Sequence, residues 1–412
     1  MPEVRRLPVH LRLRAMSAFR VPGEDHRAQV AEVMRVSLNL RPSFLEHQAP
    51  ALPLDRFVCA FDGDRVIATA AERGYRQWFG GRELPMSGVW GVATLPEHRG
   101  SGLATGAVTR ILREARARGV PVSALYPATL RPYRGLGYEL AGTLARHEVR
   151  LDDLPRGGGG PLEVREYDAS DLEGVRACYR RAMAGRTGPI DSDDPSWWPV
   201  RIMGRRTPDE PHRAVVALGP DGRVEGYALF VTEPIEGDLD GSFALMCRQL
   251  VATTVEAYAA LLAFLRGFRG LGQAVRFPGP PAEPLAMLVE EQRVRPFWSF
   301  RWMLRLLDVP AALRGRGYLP LSGETILAVE DGLFPENRGP WRLAAEDGAV
   351  RVEPAEGARV RPVGVGTLAA MFSGYLSPFD AARLGLLEAD APAVPFLARL
   401  FAGPPPFMLD FF

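Results

Sequence analysis

The sequence predicts an α+β protein, α/β-like in part, made of several domains, and three observations carry that prediction. At 412 residues the chain exceeds what one hydrophobic core ordinarily organises. The Pro/Gly-rich stretch DDLPRGGGGPLEV, with glycines at 157–160, reads as a linker. The order hairpin, strand, helix, strand occurs before that linker and again, more weakly, after it. A softer break near RVRPFWSFRWMLRLLDVPAALRGRGYLP, where an amphipathic helix opens, divides the remainder, giving segments 1–155, 160–300 and 301–412.

In the first segment, RFVCAFDGDRVIATAAE holds two strand-like runs around an Asp-Gly turn. YRQWFGGRELPMSGVWGVATL repeats the arrangement around Gly80 and Gly81. In GLATGAVTRILREARARG, residues Leu103, Ala107, Ile111, Leu112 and Ala115 recur at helical spacing, and Gly119 ends the helix. VPVSALYP follows as a strand. The second segment has a hairpin around Asp221-Gly222, a strand at FALMCRQLVA, and a helix at TTVEAYAALLAFLRGF with Val255, Tyr258, Leu262 and Leu265 on one face. In the third, TILAVED, GPWRLAAEDGAVRVEP and VRPVGV read as strands, with helices from GTLAAMFSGYL onward.

Composition removes several classes of function. The formal net charge of +1 gives no basis for nucleic-acid or anionic-membrane binding. No apolar run approaches the ~20 residues of a membrane helix, and the N-terminus lacks a signal-peptide core, so the expected location is cytoplasmic. Cys59, Cys178 and Cys247 lie far apart and form no CxxC pair, and the histidines are scattered, so neither a metal site nor a disulfide framework is expected. No Lys occurs anywhere; any phosphate must be held by backbone amides and Arg.

The densest chemical signal is GVWGVATLPEHRGSGLATGAV. A strand runs through a short loop into Arg99-Gly100-Ser101-Gly102-Leu103-Ala104, which opens a helix. A helix start offers unpaired amides and a positive dipole end to a phosphate, and glycines let the backbone approach closely. Arg99 adds a planar, charged fork. A dinucleotide fingerprint fails because Thr105 stands where a third small residue is required, and a P-loop fails for want of Lys.

The pattern that fits is R-x-x-G-x-A, Arg99, Gly102 and Ala104, which resembles the pyrophosphate loop of the GCN5-related N-acetyltransferases. Some thirty residues on, LRPYRGLGYELAG resembles the signature that closes these domains, with Leu136 in place of Phe. Taken over the whole chain, this domain, its degenerate second copy, the third-domain opening RWMLRLLDVPAALRGRGY and the ending DFF resemble the Eis (enhanced intracellular survival) acetyltransferases. The resemblance implies tandem acetyltransferase folds, the second catalytically silent, followed by a sterol-carrier-like domain.

It also implies acetyl-coenzyme A as cosubstrate and direct N-acetyl transfer to primary amines of polycationic acceptors such as aminoglycosides, lysine side chains or polyamines. The family's general base is the terminal carboxylate, here that of Phe412. An α-carboxyl has a reference pKa of about 3.5, and the apolar residues around it together with Asp410 would raise it. Read without the resemblance, FMLDFF is a last strand finishing a core. The family's general acid is a Tyr that aligns with Tyr133, with Tyr126 and Tyr138 as competitors.

For the cosubstrate, the resemblance points to main-chain groups of Val92, Ala93 and Thr94 along the pantetheine arm, to Arg99, Gly100, Ser101, Gly102, Leu103 and Ala104 at the pyrophosphate, and to Thr129 near the thioester. Position suggests Asp25, Glu46 and Asp410 as substrate anions, with Phe44, Trp78 and Trp90 as walls. No Cys lies near the site to carry an acetyl group. DSDDPSWWP reads as a helix cap followed by packed tryptophans, and VRIMGRRTPDEPHR as a solvated loop. The family assembles as hexamers. The rival reading is a non-catalytic acyl-CoA sensor or lipid-binding protein.

Overall fold

In the computed structural model, residues 19–156, 162–203, 212–235, 237, 241–388 and 393–412 are described. The linker glycines at 157–160 lie outside them. The hairpins form where the turn chemistry requires. Gly63 (φ 60°) joins Phe57–Asp62 to Arg65–Phe79, and Gly80 and Gly81 (φ 58° and 91°) join the latter to Arg82–Thr94. Positive φ at both central residues matches the twist of a two-residue hairpin.

The helix Leu103–Ala117 follows and buries Leu103, Ala107, Val108, Ile111, Leu112 and Ala115. It returns the chain to Val122–Leu125, parallel to Arg82–Thr94. The second unit repeats this logic. Arg213–Leu218 and Val224–Pro234 form a hairpin, Phe243–Ala252 lies beside it, and the helix Val255–Arg266 leads to Gly272–Gly279, parallel to Phe243–Ala252. Val255 is 78% exposed; the apolar stripe consists of Ala257, Ala260, Leu261, Leu262 and Leu265 instead.

Both units share one sheet, of thirteen strands among the described residues. The connection between them is non-local. Arg295–Leu306, at the end of the second unit, inserts between Val122–Leu125 and Glu139–Arg150 of the first, antiparallel to both. The boundary expected at 300/301 therefore falls inside a strand, and the helix expected there begins only at Val309–Gly315. RPFWSFRWMLRL is extended because its alternate side chains pack on opposite faces of the sheet. Trp302 and Leu304 join one core and Met303 another.

The third unit is a four-stranded sheet in the order Ala349–Pro354, Gly339–Glu346, Gly323–Glu330, Val363–Gly364, with helices Val365–Phe372, Pro378–Arg383 and Ala393–Leu400. Its helix Val365–Phe372 packs on Glu139–Arg150 and Arg295–Leu306.

The large sheet has a distinct core on each face. The helix Leu103–Ala117 covers one, with Val58, Ala70, Val89, Met303 and Tyr133. The opposite face gathers Tyr75, Met86, Trp197, Trp302, Phe407, Met408 and Leu409. The apolar chain terminus is thus largely interior: Phe407, Met408 and Leu409 are buried. It is not a strand. A single bridge ties Phe407 to Thr143, and the amide of Phe407 donates to the Thr187 carbonyl (3.0 Å). Gly188 (φ 108°) allows that approach, since a Cβ there would lie 2.3 Å from the Phe407 carbonyl oxygen.

Candidate active site

Arg82–Thr94 pairs with its parallel neighbour only at Met86, Ser87 and Gly88. Beyond Gly88 the two strands part, leaving the edge of Val89–Thr94 open on that side. A bulge adds to the divergence: Gly91 (φ 58°) and Val92 face a single residue, Ala70, across the hairpin, and Thr69 Oγ1 donates to the Gly91 carbonyl (2.8 Å). Of the main-chain groups expected on this edge, that of Val92 lies in the bulge and that of Ala93 directly after it. The Thr94 carbonyl already accepts from Ser37 Oγ (3.0 Å).

The edge leads into the glycine loop. Gly100 (φ 78°) and Gly102 (φ 84°) adopt left-handed conformations, and nothing lies within 4 Å of where their Cβ atoms would be. They are glycines for conformation, not for space. Ser101 turns inward, its Oγ donating to the His98 carbonyl at 2.5 Å. Gly102 is the N-cap, no side chain caps it, and the first intrahelical bond is Gly106 to Gly102 (2.9 Å). The amides of Gly102, Leu103, Ala104 and Thr105 are therefore left for an external acceptor. Arg99 is exposed beside them. A pyrophosphate fits this cradle. Among its described residues the second unit shows none: its corresponding helix is capped by Thr254, whose hydroxyl accepts from the Ala257 amide (3.1 Å).

Three tyrosines compete near the divergence, and their hydroxyls differ. Tyr138 is buried and exchanges a hydrogen bond with Ser123 Oγ (2.6 Å). Tyr126 donates to the main-chain oxygen of Asp410 (2.9 Å), and burial raises its phenol well above the ordinary value. Tyr133, in the short helix Arg131–Arg134, forms no hydrogen bond through its hydroxyl among the described residues, and burial pushes it up to about 12. It remains a protonated donor at neutral pH. Its core includes Val89, on the helix-covered face.

Phe412 arrives from the other face. Its ring lies 5.0 Å from that of Tyr75 and 5.6 Å from that of Tyr126, against Gly88. Gly88 and Val89 point to opposite faces, so Tyr133 and Phe412 flank the parting strands from opposite sides. Trp90 shares the Phe412 face, two residues from Gly88, and packs edge-on to Phe57 (5.1 Å) beside the cluster that buries Phe44.

Of the other expected residues, Asp25 and Trp78 are not brought here. Asp25 sits with His26 beside Asp64 in the 62–65 turn, at the Thr94 end of the hairpin, away from Gly88. Glu46 and Thr129 are exposed, and Trp78 is interior against Tyr179. Asp410 reaches the site but is not a free anion. Arg201 donates to both its oxygens (2.7 and 2.6 Å) and Gln249 Nε2 donates at 3.2 Å. Burial nonetheless pushes its carboxyl above the ordinary range, against the pull of Arg201.

Arg201 belongs to the stretch read as a solvated loop, of which residues 204–211 lie outside the described ones. It lies in the helix Trp197–Met203, its side chain 5% exposed. The packed tryptophans of DSDDPSWWP are present: Trp198 Nε1 donates to buried Asp191 (2.8 Å). Tyr75, Arg201 and Gln249 carry no local sequence signal, because only the folded sheet brings them to the terminus. The three cysteines are buried, and burial pushes each thiol up to about 12, so none is a ready nucleophile.

Comparison with known proteins agrees with this architecture. Residues 19–141 match a family model described as an acetyltransferase (GNAT) domain, 192–306 match a second of the same description, and 309–409 match a sterol carrier protein domain. The N-acetyltransferase Eis of Mycobacterium tuberculosis is 30% identical over 288 residues, 67% of each chain. The chain is a member of the Eis family of GCN5-related N-acetyltransferases. A Streptomyces avermitilis protein described as an uncharacterized N-acetyltransferase is 29% identical over 306 residues, 71% of this chain and 73% of that one. Among solved structures, a GCN5-related N-acetyltransferase from Anabaena variabilis superposes with TM-score 0.88 at 26% identity, covering 96% of this chain and 99% of that one. Eis1 from Mycobacterium abscessus gives 0.77 at 26% identity over the same shares. The protein is accordingly an acyltransferase of the N-acetyltransferase class, and acetyl-CoA is the cosubstrate of such enzymes. Among the described residues no helix is long and apolar enough to cross a membrane.

Proposed function

We propose that the chain transfers an acetyl group from acetyl-CoA directly to a primary amine, with Tyr133 as general acid and the terminal carboxylate of Phe412 as general base. The observation that carries this reading is the pairing of Tyr133 and Phe412 across the point where the strands part. The amides of Gly102, Leu103 and Ala104, with Arg99, hold the pyrophosphate, and the edge at Val92 and Ala93 holds the pantetheine arm. Cosubstrate and acceptor then approach from opposite faces, which suits attack within a ternary complex.

The carboxylate takes the proton the amine loses as it bonds to the acetyl carbon; Tyr133 gives a proton to the sulfur as the C–S bond breaks. A phenol pushed up to about 12 is protonated at neutral pH and hydrogen-bonds to the sulfur as the C–S bond breaks; transfer to a thiolate of ordinary pKa about 8.5 is uphill and is carried by the favourable conversion of thioester to amide. A ping-pong route has no nucleophile, since the three thiols are buried and protonated. The acceptor enters along the Tyr75–Trp90 face. A polycation there no longer has Asp25 or Asp410 to meet it and relies on other groups, such as Asp194, which acts on the Tyr75 phenol. Assembly into a hexamer is proposed from the family resemblance, and the mass of the assembly in solution tests it.

The test is thiol release from acetyl-CoA with a panel of aminoglycosides, polyamines and lysine peptides, wild type beside Tyr133→Phe. Turnover lost in the variant while acetyl-CoA still binds supports the reading. Tight acetyl-CoA binding without turnover on any amine replaces it with an acyl-CoA sensor.

A further inference from the structure

Among the described residues the second domain has no phosphate loop, yet one of its buried polar arrangements reaches the residues that end at the first domain's strands. The Arg201 guanidinium lies 4.0, 4.5 and 4.6 Å from the ring centroids of Tyr179, Trp197 and Trp198. Its Nε and Nη2 both donate to Asp410, and its Nη1 is sealed from solvent without a hydrogen-bond partner among the described residues. Gln249, itself held by the Tyr227 hydroxyl (2.7 Å), adds a second donor to the same carboxylate. A fully packed apolar cluster would serve stability as well as a buried ion pair does. What the pair adds is direction, because Asp410 stands two residues before the terminus.

We infer that Arg201 is a positioning residue for the reaction: acting through Asp410, the second domain fixes the C-terminal residue at the divergence of the first domain's strands. This rests on the reading of Phe412 as the base. Asp410 is gripped from both units, its side chain by Arg201 and Gln249 and its main-chain oxygen by Tyr126. Upstream, Phe407 and Met408 are tied to Thr187 and Thr143 (3.0 and 2.8 Å). With Asp410 held, Phe412 is confined to what two residues span, about 7 Å. Without the guanidinium the buried carboxyl has lost its cation and takes up a proton or moves toward solvent; either way the two charged hydrogen bonds that fix the tail are gone. The loop-less domain is then part of the catalytic apparatus, not only a scaffold.

The full-length protein is compared with Arg201→Met, Arg201→Lys, Asp410→Asn and the double variant Arg201→Met/Asp410→Asn. Carboxypeptidase A release of Phe412 reports tail docking; kcat and the KM for acetyl-CoA report function. Arg201→Met is expected to lower kcat at least about tenfold, to leave the KM for acetyl-CoA within about twofold, and to speed Phe412 release at least about tenfold. Arg201→Lys restores part of each, and the double variant is no worse than Arg201→Met alone, as expected for residues acting as one unit. Unchanged kcat, a kcat loss without faster release, or additive losses overturn the inference. If Arg201→Met does not fold, Asp410→Asn decides: wild-type kcat and wild-type release overturn it, and losses in both support it. Blocking the terminus by a one-residue extension separates the two levels. If the extension leaves turnover intact, the base assignment fails; if it abolishes turnover while the Arg201 variants keep theirs, only this inference fails.

Discussion

A Cβ on Gly88 would lie 2.9 Å from Cε2 of Phe412 and 2.6 Å from Cε2 of Tyr75. The absent side chain is the socket for the terminal ring, at the residue where the central strands separate. Gly88→Ala must therefore displace both rings. We expect kcat to fall about ten- to a hundredfold with the KM for acetyl-CoA little changed, since the cosubstrate edge begins beyond this residue. Steady-state kinetics at saturating amine checks this; wild-type kcat would show that the ring position does not matter.

Tyr133 gives a pH prediction. Burial pushes it up to about 12, so its proton is in place across the working range. kcat then shows no alkaline loss attributable to this group below about pH 11, whereas Tyr133→Phe lowers kcat about 10²- to 10⁴-fold. A pH–rate profile from pH 6 to about 10.5 tests both statements. An alkaline limb near pH 9 that vanishes in the Phe variant would contradict them.

The glycine loop can be probed without steric confusion. Nothing lies within 4 Å of a Cβ on Gly100, whose φ is 78°. Gly100→Ala therefore costs only the left-handed conformation, about 1 kcal/mol. If the loop relaxes to avoid that cost, the amides turn away from the pyrophosphate, and the KM for acetyl-CoA rises about tenfold with a small change in kcat. Calorimetric titration of acetyl-CoA provides the check.

Acid stability should depend on Asp191. Burial alone would raise its carboxyl, but hydrogen bonds from Arg180, the Trp198 indole and the Ser192 amide outweigh it and hold the group below its ordinary value. A depressed folded value means the stabilisation is complete above the unfolded value, about pH 4, and is lost as pH falls through the folded one. Asp191→Asn lowers stability by about 2 kcal/mol near neutrality. It also flattens the decline of Tm below about pH 4. Parallel Tm curves for the two proteins would refute the assignment.

What was legible in the sequence was local. The Asp-Gly and Gly-Gly turns, the helix at 103–117 and the glycine loop follow from residues within a few positions of one another, where turn chemistry and helical periodicity act. Arg201 was not legible, because its partner Asp410 lies 209 positions away and its own surroundings look like a charged loop. The strand Arg295–Leu306 was cut in two for a related reason: the strands flanking it are 122–125 and 139–150, and nothing in its own sequence names them. Asp25 and Asp410 were chosen by charge alone, and the fold places one at the far end of a hairpin and neutralises the other.

The most direct test of the account adds one glycine after Phe412 and measures thiol release with a competent amine, alongside acetyl-CoA binding and Tm. The terminal carboxylate is then displaced by one residue while Asp410, Phe411 and the Phe412 ring keep their sequence. The account predicts that turnover falls at least about a hundredfold with binding and Tm unchanged. Turnover at the wild-type rate would contradict it, leaving the buried ending as core alone and the base to be found elsewhere.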